Sequence, residues 1–279
     1  MKGILEYLKA GGSEEISNEE YLKMQCQWAN EEIGEKENPN LPDCPICKNK
    51  GLVYFIEDNT IKCKKCQCEK IRITFNRLRE SGITETNLAH CTFKNFNATE
   101  DWQKKILNKI SEYEQYFLDK KLWFVFSGGS GIGKTHLCTA LLQKYIRKGY
   151  TGEYVVWNDF VPKMYSLERS TNINNQAEYD RKLNRLRNVD ILYIDDFLKL
   201  TTLNNNEFQL SLVYKILNHR YMNNKITILS TEYSFEEVAN LDVAIAGRIH
   251  EKTNFGQFWI KCANDPRRNY RLRMKQEEI

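Results

Sequence analysis

The sequence lacks any run of about 18 consecutive apolar residues, so no segment is expected to cross a membrane. Residues 1–10 also lack the apolar core of a signal peptide. These two absences predict a cytoplasmic protein whose thiols stay reduced. The nine cysteines are therefore expected to bind a metal ion or to be buried, rather than to form disulfides.

A large excess of charge is also missing, because the formal net charge is only +4. The charges are nevertheless unevenly distributed, and residues 1–43 carry ten acidic side chains against four lysines. The stretch that follows, to about Lys70, is rich in lysine, and the C-terminal end is rich in arginine. Such runs usually form a solvated surface, and contact with nucleic acid is the alternative for each basic stretch.

Short apolar runs separated by helical stretches fill the later part of the chain, and no internal repeat or low-complexity tract is evident. The runs are residues 122–126, 154–157, 191–194, 226–229 and 258–260. Strands that are apolar on both faces and alternate with helices indicate a parallel sheet covered on both sides. The sequence therefore predicts an α/β fold.

One segment after the first of these strands fits the pattern G-x-x-x-x-G-K-T in full. It consists of Gly128, Gly129, Ser130, Gly131, Ile132, Gly133, Lys134 and Thr135. Glycines let the backbone wrap closely round a phosphate, and the helix expected from His136 onward adds its positive end. Lys134 should reach the β and γ phosphates of ATP, and the Thr135 hydroxyl should ligate Mg²⁺.

A second motif agrees with this phosphate-binding loop. The apolar strand at 191–194 ends in Asp195 and Asp196, as in a Walker B element. Asp195 would hold Mg²⁺ directly or through water, and Asp196 would polarise the attacking water as a catalytic base. An ordinary acidic turn after a strand is the alternative. The two motifs together favour an ATPase.

Cysteines cluster between residues 44 and 68. Two C-x-x-C pairs, Cys44 with Cys47 and Cys63 with Cys66, can present four thiolates to one tetrahedral Zn²⁺. Cys68 competes with Cys66 as the fourth ligand. The pattern predicts a structural zinc site, and reduced cysteines without metal are the alternative.

These features divide the chain into four predicted segments. Residues 1–40 form an acidic helical arm, in which Ser17 and Glu20 have the spacing of a capping box. Residues 41–75 form the zinc-binding module, and a second helical stretch is expected from about Lys70 to Glu80. Residues 76–98 form a linker, which looks irregular from residue 81 onward. Residues 99–279 form the ATPase domain.

With these motifs in place, the chain resembles the DnaC/DnaI group of AAA+ helicase loaders, including phage-encoded members. The resemblance covers about residue 42 to the C-terminus. Its most specific marks are the cysteine pairs ahead of the ATPase core, the continuation of the phosphate loop into His136 and Leu137, and the pair Asp195-Asp196. His136 is accordingly grouped with the residues expected to bind the nucleotide.

The resemblance implies a five-stranded parallel sheet, an N-terminal zinc-binding module and self-association through the ATPase domain. In such loaders the module docks on a replicative hexameric DNA helicase, and the ATPase domain contacts single-stranded DNA. It also implies arginines at the γ phosphate. We expect Arg248 to act on a neighbouring subunit's ATP and Arg267 or Arg268 to contact the nucleotide in the same chain, whereas a surface salt bridge is the alternative. Thr231 is the residue expected to orient the attacking water, and a plain strand cap is the alternative.

The sequence departs from the family pattern at three places. Glu232 stands where the family usually has asparagine, no glycine closely follows Asp196, and no glycine precedes Arg267. These departures keep open a binding module that uses ATP only to set its shape. An IstB-like ATPase that assists a transposase is another alternative, although such proteins usually lack the cysteine module. The paired carboxylates and the late arginines argue against a small-molecule kinase.

Overall fold

The computed structural model of the protein describes residues 17–35, 43–80, 83–199 and 206–273. The chain divides into two units, residues 1–73 and residues 74–279. None of the helices in the described ranges combines the length and the apolar character needed to cross a membrane. The predicted segment boundaries at residues 40, 75 and 98 stay predictions.

The first unit pairs one helix with a β-hairpin. Its described elements are α1 (Asn18–Glu31), β1 (Leu52–Glu57), β2 (Thr60–Lys65) and the start of α2 (Gln67–Glu80). The capping box is confirmed, because Glu20 N–H donates to Ser17 Oγ and Ser17 N–H donates to Glu20 Oε2. The Asn30 amide donates to Tyr54 O at 2.8 Å and accepts from Tyr54 N–H at 2.9 Å. Asn30 therefore pairs with the backbone N–H and C=O of Tyr54 in β1, as a neighbouring strand would.

The second unit is built on a sheet of five parallel strands, as the family resemblance implies. Its elements up to the second strand are α3 (Glu85–His90), α4 (Asp101–Lys120), β3 (Phe124–Ser127), α5 (Lys134–Arg147) and β4 (Gly152–Val156). The rest are α6 (Trp157–Glu168), α7 (Ile173–Asn188), β5 (Ile191–Asp195), α8 (Asn206–Met222), β6 (Ile226–Thr231), α9 (Phe235–Leu241), α10 (Val243–Lys252), β7 (Trp259–Lys261) and α11 (Tyr270–Arg273). The strand order is β4-β5-β6-β3-β7, and each neighbouring pair is parallel.

Helices cover both faces of this sheet. On one face, alternate strand residues such as Val125, Ile194 and Leu229 pack with residues of α6, α7, α8 and α10 in one hydrophobic core. On the other face, Phe124 contacts Tyr113 of α4, with ring centroids 5.1 Å apart. Helix α5 packs on the same sheet and buries most of its apolar side chains. Burial on both faces explains why the strands read as continuous apolar runs.

The predicted linker contains more regular structure than expected. Helix α2 ends at Glu80, as predicted, but in the segment expected to be irregular Thr84 caps α3 by accepting from Asn87 N–H, and a 3₁₀ turn spans Phe93–Asn95. Gln143 of α5 donates to Leu88 O at 2.9 Å and to Cys91 O at 3.0 Å. Residues 88–91 are therefore held against the ATPase core, and the expectation of an irregular segment was wrong because the helical elements in it are short.

Candidate nucleotide and metal sites

The predicted phosphate loop follows β3 and has the backbone that its glycines allow. Gly128, Gly131 and Gly133 have φ values of +145°, +76° and +91°. A Cβ atom on Gly128 would lie 2.5 Å from Cys262 O, and one on Gly131 would lie 1.9 Å from Asn269 Oδ1. Both the dihedral angles and the close neighbours therefore require glycine.

Lys134 begins α5 and turns its ammonium group back into this loop. The group is buried, and Nζ donates to the carbonyls of Gly128 and Gly129 at 2.8 Å each. Burial lowers the pKa of Lys134, and the negative charges of Glu232, Asp196 and Asp195 oppose that shift. The structure thus brings the predicted lysine and both predicted carboxylates to one place.

The rest of the loop lies against other parts of the second unit. Ile132 is buried, and its Cδ1 would touch a Cβ on Gly128, whereas Ser130 is exposed. Gly129 lies against the Asn264 side chain, and Tyr270 N–H donates to Gly131 O at 3.0 Å. The segment after β7 therefore runs directly along the phosphate loop.

Asp195 ends β5 and lies beside Thr135, whose hydroxyl donates to Asp195 Oδ1 at 3.2 Å. The parallel sheet explains this contact, because the carboxyl ends of β3 and β5 lie at one edge. Three more hydroxyls donate to the carboxylate, namely those of Tyr154, Tyr193 and Ser230. Sequence reasoning missed these three residues, although Tyr193 stands two positions before Asp195 in the same strand.

Asp196 adopts a left-handed backbone conformation, with φ +53°. Its carboxylate and that of Glu232 both lie close to Lys199. Lys199 Nζ lies 3.6 Å from Asp196 Oδ2 and 3.3 Å from Glu232 Oε1. Burial alone would lower the pKa of Lys199, but the charges of Asp196 and Glu232 raise it above its usual value. Glu232 therefore lies at the same end of the sheet as the predicted catalytic base.

The environment of Thr231 does not support the predicted role in orienting water. Its side chain is fully buried, its hydroxyl donates to Phe197 O at 2.8 Å, and it accepts from Tyr233 N–H at 3.1 Å. The hydroxyl is thus used to join β6 to the turn after β5. Ser230, one position earlier, has its hydroxyl on Asp195 instead.

His136 faces the segment before α4 rather than the phosphate loop. Its Nε2 lies 2.8 Å from Thr92 O, and its ring lies 5.5 Å from the Phe96 ring. Burial lowers the pKa of His136. Phe96 also lies against Gly133, since a Cβ there would be 2.8 Å from Phe96 Cε2. Phe96 therefore packs against both Gly133 and His136 at the start of α5.

The three predicted arginines have different surroundings. Arg267 is 89% exposed at its side chain and pairs with Asp265 at 2.9 Å. Arg268 donates to Cys262 Sγ at 3.4 Å and lies over the Trp102 ring. Since Cys262 O lies against Gly128, Arg268 is the better placed of the two beside the phosphate loop.

Arg248 lies on α10, as predicted, and is held against α8. Its Nε donates to Asn218 Oδ1 at 2.9 Å, and its guanidinium lies 5.1 Å from the Tyr214 ring centroid. The side chain is half-buried by these contacts. Its action on a neighbouring subunit stays a prediction.

Four cysteines of the first unit come together, but they are not the predicted four. The sulfur atoms of Cys44, Cys47, Cys66 and Cys68 lie within 4.8 Å of one another. Cys63 is exposed on β2, opposite Tyr54 in the hairpin, and is not part of this cluster. The assignment of zinc to two C-x-x-C pairs is therefore wrong. Cys63 lies within β2, and the chain turns only after Lys65, so Cys66 and Cys68 are the residues that come close to Cys44 and Cys47.

The geometry of the cluster suits a tetrahedral zinc ion. Cys44 and Cys66 sulfurs are 3.7 Å apart, and Cys47 and Cys68 sulfurs are 3.3 Å apart. Sulfurs around one Zn²⁺ at about 2.3 Å are separated by about 3.8 Å. Burial raises the pKa of Cys47, but hydrogen bonds from Cys68 and from Gly51 N–H outweigh it and lower that pKa to about 7. These residues could hold zinc.

Comparisons with known proteins identify the family to which the chain belongs. The family profile described as IstB-like ATP binding protein matches residues 71–253, which is more than half of the chain. The phage-like element PBSX protein XkdC of Bacillus subtilis (strain 168) is 31% identical over 218 residues, covering 75% of this chain and 79% of XkdC. The replicative helicase loader DnaC of Escherichia coli (strain K12) is 27% identical over 210 residues, with the same coverage.

Among solved structures, the replication initiator DnaA bound to AMPPCP and single-stranded DNA has a TM-score of 0.52 and 18% identity. It covers 71% of this chain and 55% of the DnaA chain. This likeness shows the AAA+ fold. The profile has the name of the IstB-like alternative, whereas the similar proteins include helicase loaders, so these names do not decide between the two functions. The chain therefore belongs to the IstB-like ATP-binding protein family, and its resemblance to the DnaC helicase loaders is confirmed.

Proposed function

We propose that this protein is an ATPase that delivers a replicative hexameric DNA helicase to single-stranded DNA during the initiation of replication. One observation carries the loader function beyond ATP binding: a four-cysteine cluster lies in a unit of its own, ahead of a domain similar to DnaC. A separate unit suits a protein that must hold a partner while its ATPase domain changes state. In this proposal the first unit docks on the helicase.

In the second unit, the phosphate loop binds ATP through its backbone amides and Lys134. Thr135 and Asp195 would hold Mg²⁺, and the hydrogen bond between them supports this assignment. The bound ion would neutralise charge on the phosphates. Asp196 orients the attacking water and accepts its proton. Arg268 would contact the nucleotide in the same chain, and Arg248 would complete the site of a neighbouring copy.

In the first unit, zinc would have a structural role. Four thiolates fill a tetrahedral shell and leave no position open for a substrate. The ion would join residues before β1 to residues after β2, so that the hairpin and the start of α2 form one rigid surface. Lys48, next to Cys47 in the chain, would offset part of the negative charge of four thiolates, whereas Lys62 pairs with Glu57 and Asp58.

A co-elution experiment tests the loader function with the full-length protein. The wild-type chain with ATP and Mg²⁺ should co-elute with the hexameric helicase of its host or phage. Cys66→Ser should abolish co-elution, and Cys63→Ser should not, because Cys63 lies outside the cluster. Equal co-elution of both variants would disprove docking through the cysteine unit.

A second candidate function is assistance to a transposase, which the name of the matching family profile favours. The same experiment separates the two. Co-elution of the full-length chain with a transposase, and none with a hexameric helicase, would replace the loader function by this one. If the chain binds ATP but shows no ATPase activity in the presence of either partner, it would instead be the ATP-controlled binding module.

A further inference from the structure

The Asp195 carboxylate lies in a buried cluster of hydroxyl groups from three strands and the start of α5. Oδ1 accepts from Tyr193 Oη at 2.7 Å, from Thr135 Oγ1 at 3.2 Å and from Ser230 Oγ. Oδ2 accepts from Tyr154 Oη at 3.0 Å. The tyrosines are opposite each other on β4 and β5, with ring centroids 5.2 Å apart. Both phenols therefore point to one carboxylate from neighbouring strands.

We infer that Tyr154 and Tyr193 are positioning residues that hold Asp195 in the orientation needed to bind Mg²⁺ with ATP. The inference rests on the proposed ATPase function and deepens it. It assigns a role in Mg²⁺ binding to two residues that lie outside the phosphate loop and the Asp195-Asp196 pair. They act through Asp195 and touch neither the nucleotide nor the metal themselves.

Hydrogen-bond capacity is the first argument. A carboxylate oxygen has about two lone-pair positions for donors. Oδ1 accepts from three hydroxyls and is also 3.2 Å from Asp196 N–H, so its capacity is filled. Among the described residues, only Tyr154 donates to Oδ2. The arrangement fixes the plane of the carboxylate and leaves acceptor capacity on Oδ2 alone.

Burial is the second argument. Tyr193 is 0% exposed, Tyr154 is 5% exposed and Asp195 is 6% exposed, so water cannot replace a lost phenol at no cost. Both phenols therefore donate to the carboxylate inside a buried site, and removing either one leaves a gap in that hydrogen-bond set.

A magnesium titration of nucleotide binding tests this role without relying on hydrolysis. The binding of a fluorescent non-hydrolysable ATP analogue is measured against MgCl₂ concentration and again in EDTA, for Tyr154→Phe and Tyr193→Phe. Loss of a side chain that orients a metal ligand commonly lowers metal affinity by about ten-fold or more. Each variant should need about ten-fold more Mg²⁺ for half-maximal binding, while affinity in EDTA stays within about two-fold of wild type.

Two matched controls exclude a general effect of removing a buried phenol. Tyr145→Phe removes a buried hydroxyl that has no hydrogen-bond partner among the described residues. Tyr113→Phe removes a buried hydroxyl that donates to Leu122 O at 2.9 Å, away from Asp195. Both controls should keep the wild-type Mg²⁺ requirement. If Tyr154→Phe matches the controls, the tyrosines only satisfy a buried carboxylate and the inference is wrong.

Other outcomes are equally informative. Wild-type protein that fails to bind the analogue at any Mg²⁺ concentration overturns the proposed function. Normal wild-type binding with no shift in the variants overturns only the positioning role. If Tyr193→Phe fails to fold, as thermal unfolding would show, Tyr154→Phe decides the question, because Tyr154 lies on the edge strand β4.

Discussion

The sulfur atoms of Cys47 and Cys68 lie 3.3 Å apart, although a whole β-hairpin separates the two residues in the chain. Cys66 N–H donates to Gly51 O at 2.7 Å, which ends the hairpin and turns the chain into α2. Cys68 then lies in the first turn of that helix. The helix start, rather than the strand, supplies the second pair of thiols.

Zinc content should follow this geometry. The wild-type chain should contain about one zinc ion, as expected for a four-thiolate site. Cys68→Ser should lose most of it, because one of four ligands is removed, and Cys63→Ser should retain it. Elemental analysis of the purified variants measures both. Retained zinc in Cys68→Ser together with lost zinc in Cys63→Ser would restore the assignment based on two C-x-x-C pairs.

Lys134→Ala should weaken ATP binding by at least about ten-fold, which corresponds to about 1.4 kcal/mol. The variant removes the ammonium group that lies within the phosphate loop. Titration with a fluorescent ATP analogue measures the effect. Lys144→Ala is the control, because Lys144 lies on the same helix and pairs with Glu114 at 2.6 Å instead. Equal affinities of the two variants would remove Lys134 from the site.

Arg248→Ala should leave ATP binding unchanged and impair hydrolysis that depends on assembly. Arginines that act between subunits raise the rate of related enzymes by about a thousand-fold or more. ATPase rates measured against protein concentration, alongside equilibrium ATP binding, separate the two effects. Arg248→Lys keeps the charge but loses the planar guanidinium, so its hydrolysis rate should lie between those of the wild type and Arg248→Ala. Loss of ATP binding itself would contradict an action on the neighbouring subunit.

Arg220→Met should destabilise the second unit strongly. Arg220 is 0% exposed, and its guanidinium donates to Leu186 O at 2.7 Å, to Val189 O at 2.9 Å and to Ile226 O. Burial lowers the pKa of this side chain to about 9, yet it stays charged near neutral pH. Several buried carbonyls would lose their donors, at a cost of about 3 kcal/mol or more in the free energy of unfolding.

Urea denaturation measures this change. Arg187→Met is the matched control, since Arg187 is half-buried and its Nε donates to the single carbonyl of Lys215 at 2.9 Å. It should cost about 1 kcal/mol. If Arg220→Met lowers the free energy of unfolding no more than Arg187→Met does, the buried guanidinium of Arg220 does not stabilise the fold as proposed.

Glu232→Gln should tighten ATP binding relative to ADP binding by about three-fold, or about 0.6 kcal/mol. Glu232 brings a negative charge close to Lys134 and shares Lys199 with Asp196, so it opposes the terminal phosphate of ATP. The ratio of dissociation constants for ATP and ADP measures the change. Glu236→Gln, on the exposed side of α9, should leave the ratio unchanged. An unaltered ratio in Glu232→Gln would mean that Lys199 neutralises the charge completely.

Leu198 lies in the segment after Asp196 that lacks the glycine of the family pattern. The family pattern described above usually places a glycine closely after the paired aspartates, and this chain has none there. Leu198 nevertheless adopts the left-handed backbone that favours glycine, with φ +63°, and its side chain is 0% exposed. A non-glycine residue in that region costs about 1–2 kcal/mol. Burial of a leucine side chain, about 1.5–3 kcal/mol, offsets the strain.

Part of the fold and of the nucleotide site could be predicted from the sequence alone. The phosphate loop, the strand that ends in Asp195 and Asp196, and the parallel sheet were all predictable, because each depends on residues adjacent in the chain or on a simple repeat of apolar side chains. The capping box at Ser17 was predictable for the same reason.

Contacts between distant segments were decided only by the tertiary structure. The choice of Cys68 over Cys63 depends on where the hairpin ends, and the use of the Thr231 hydroxyl depends on the turn packed beside it. Tyr154 reaches Asp195 only because β4 is paired with β5 in one register. Such contacts join residues far apart in the chain, and no spacing rule within a single segment encodes the direction in which each side chain points.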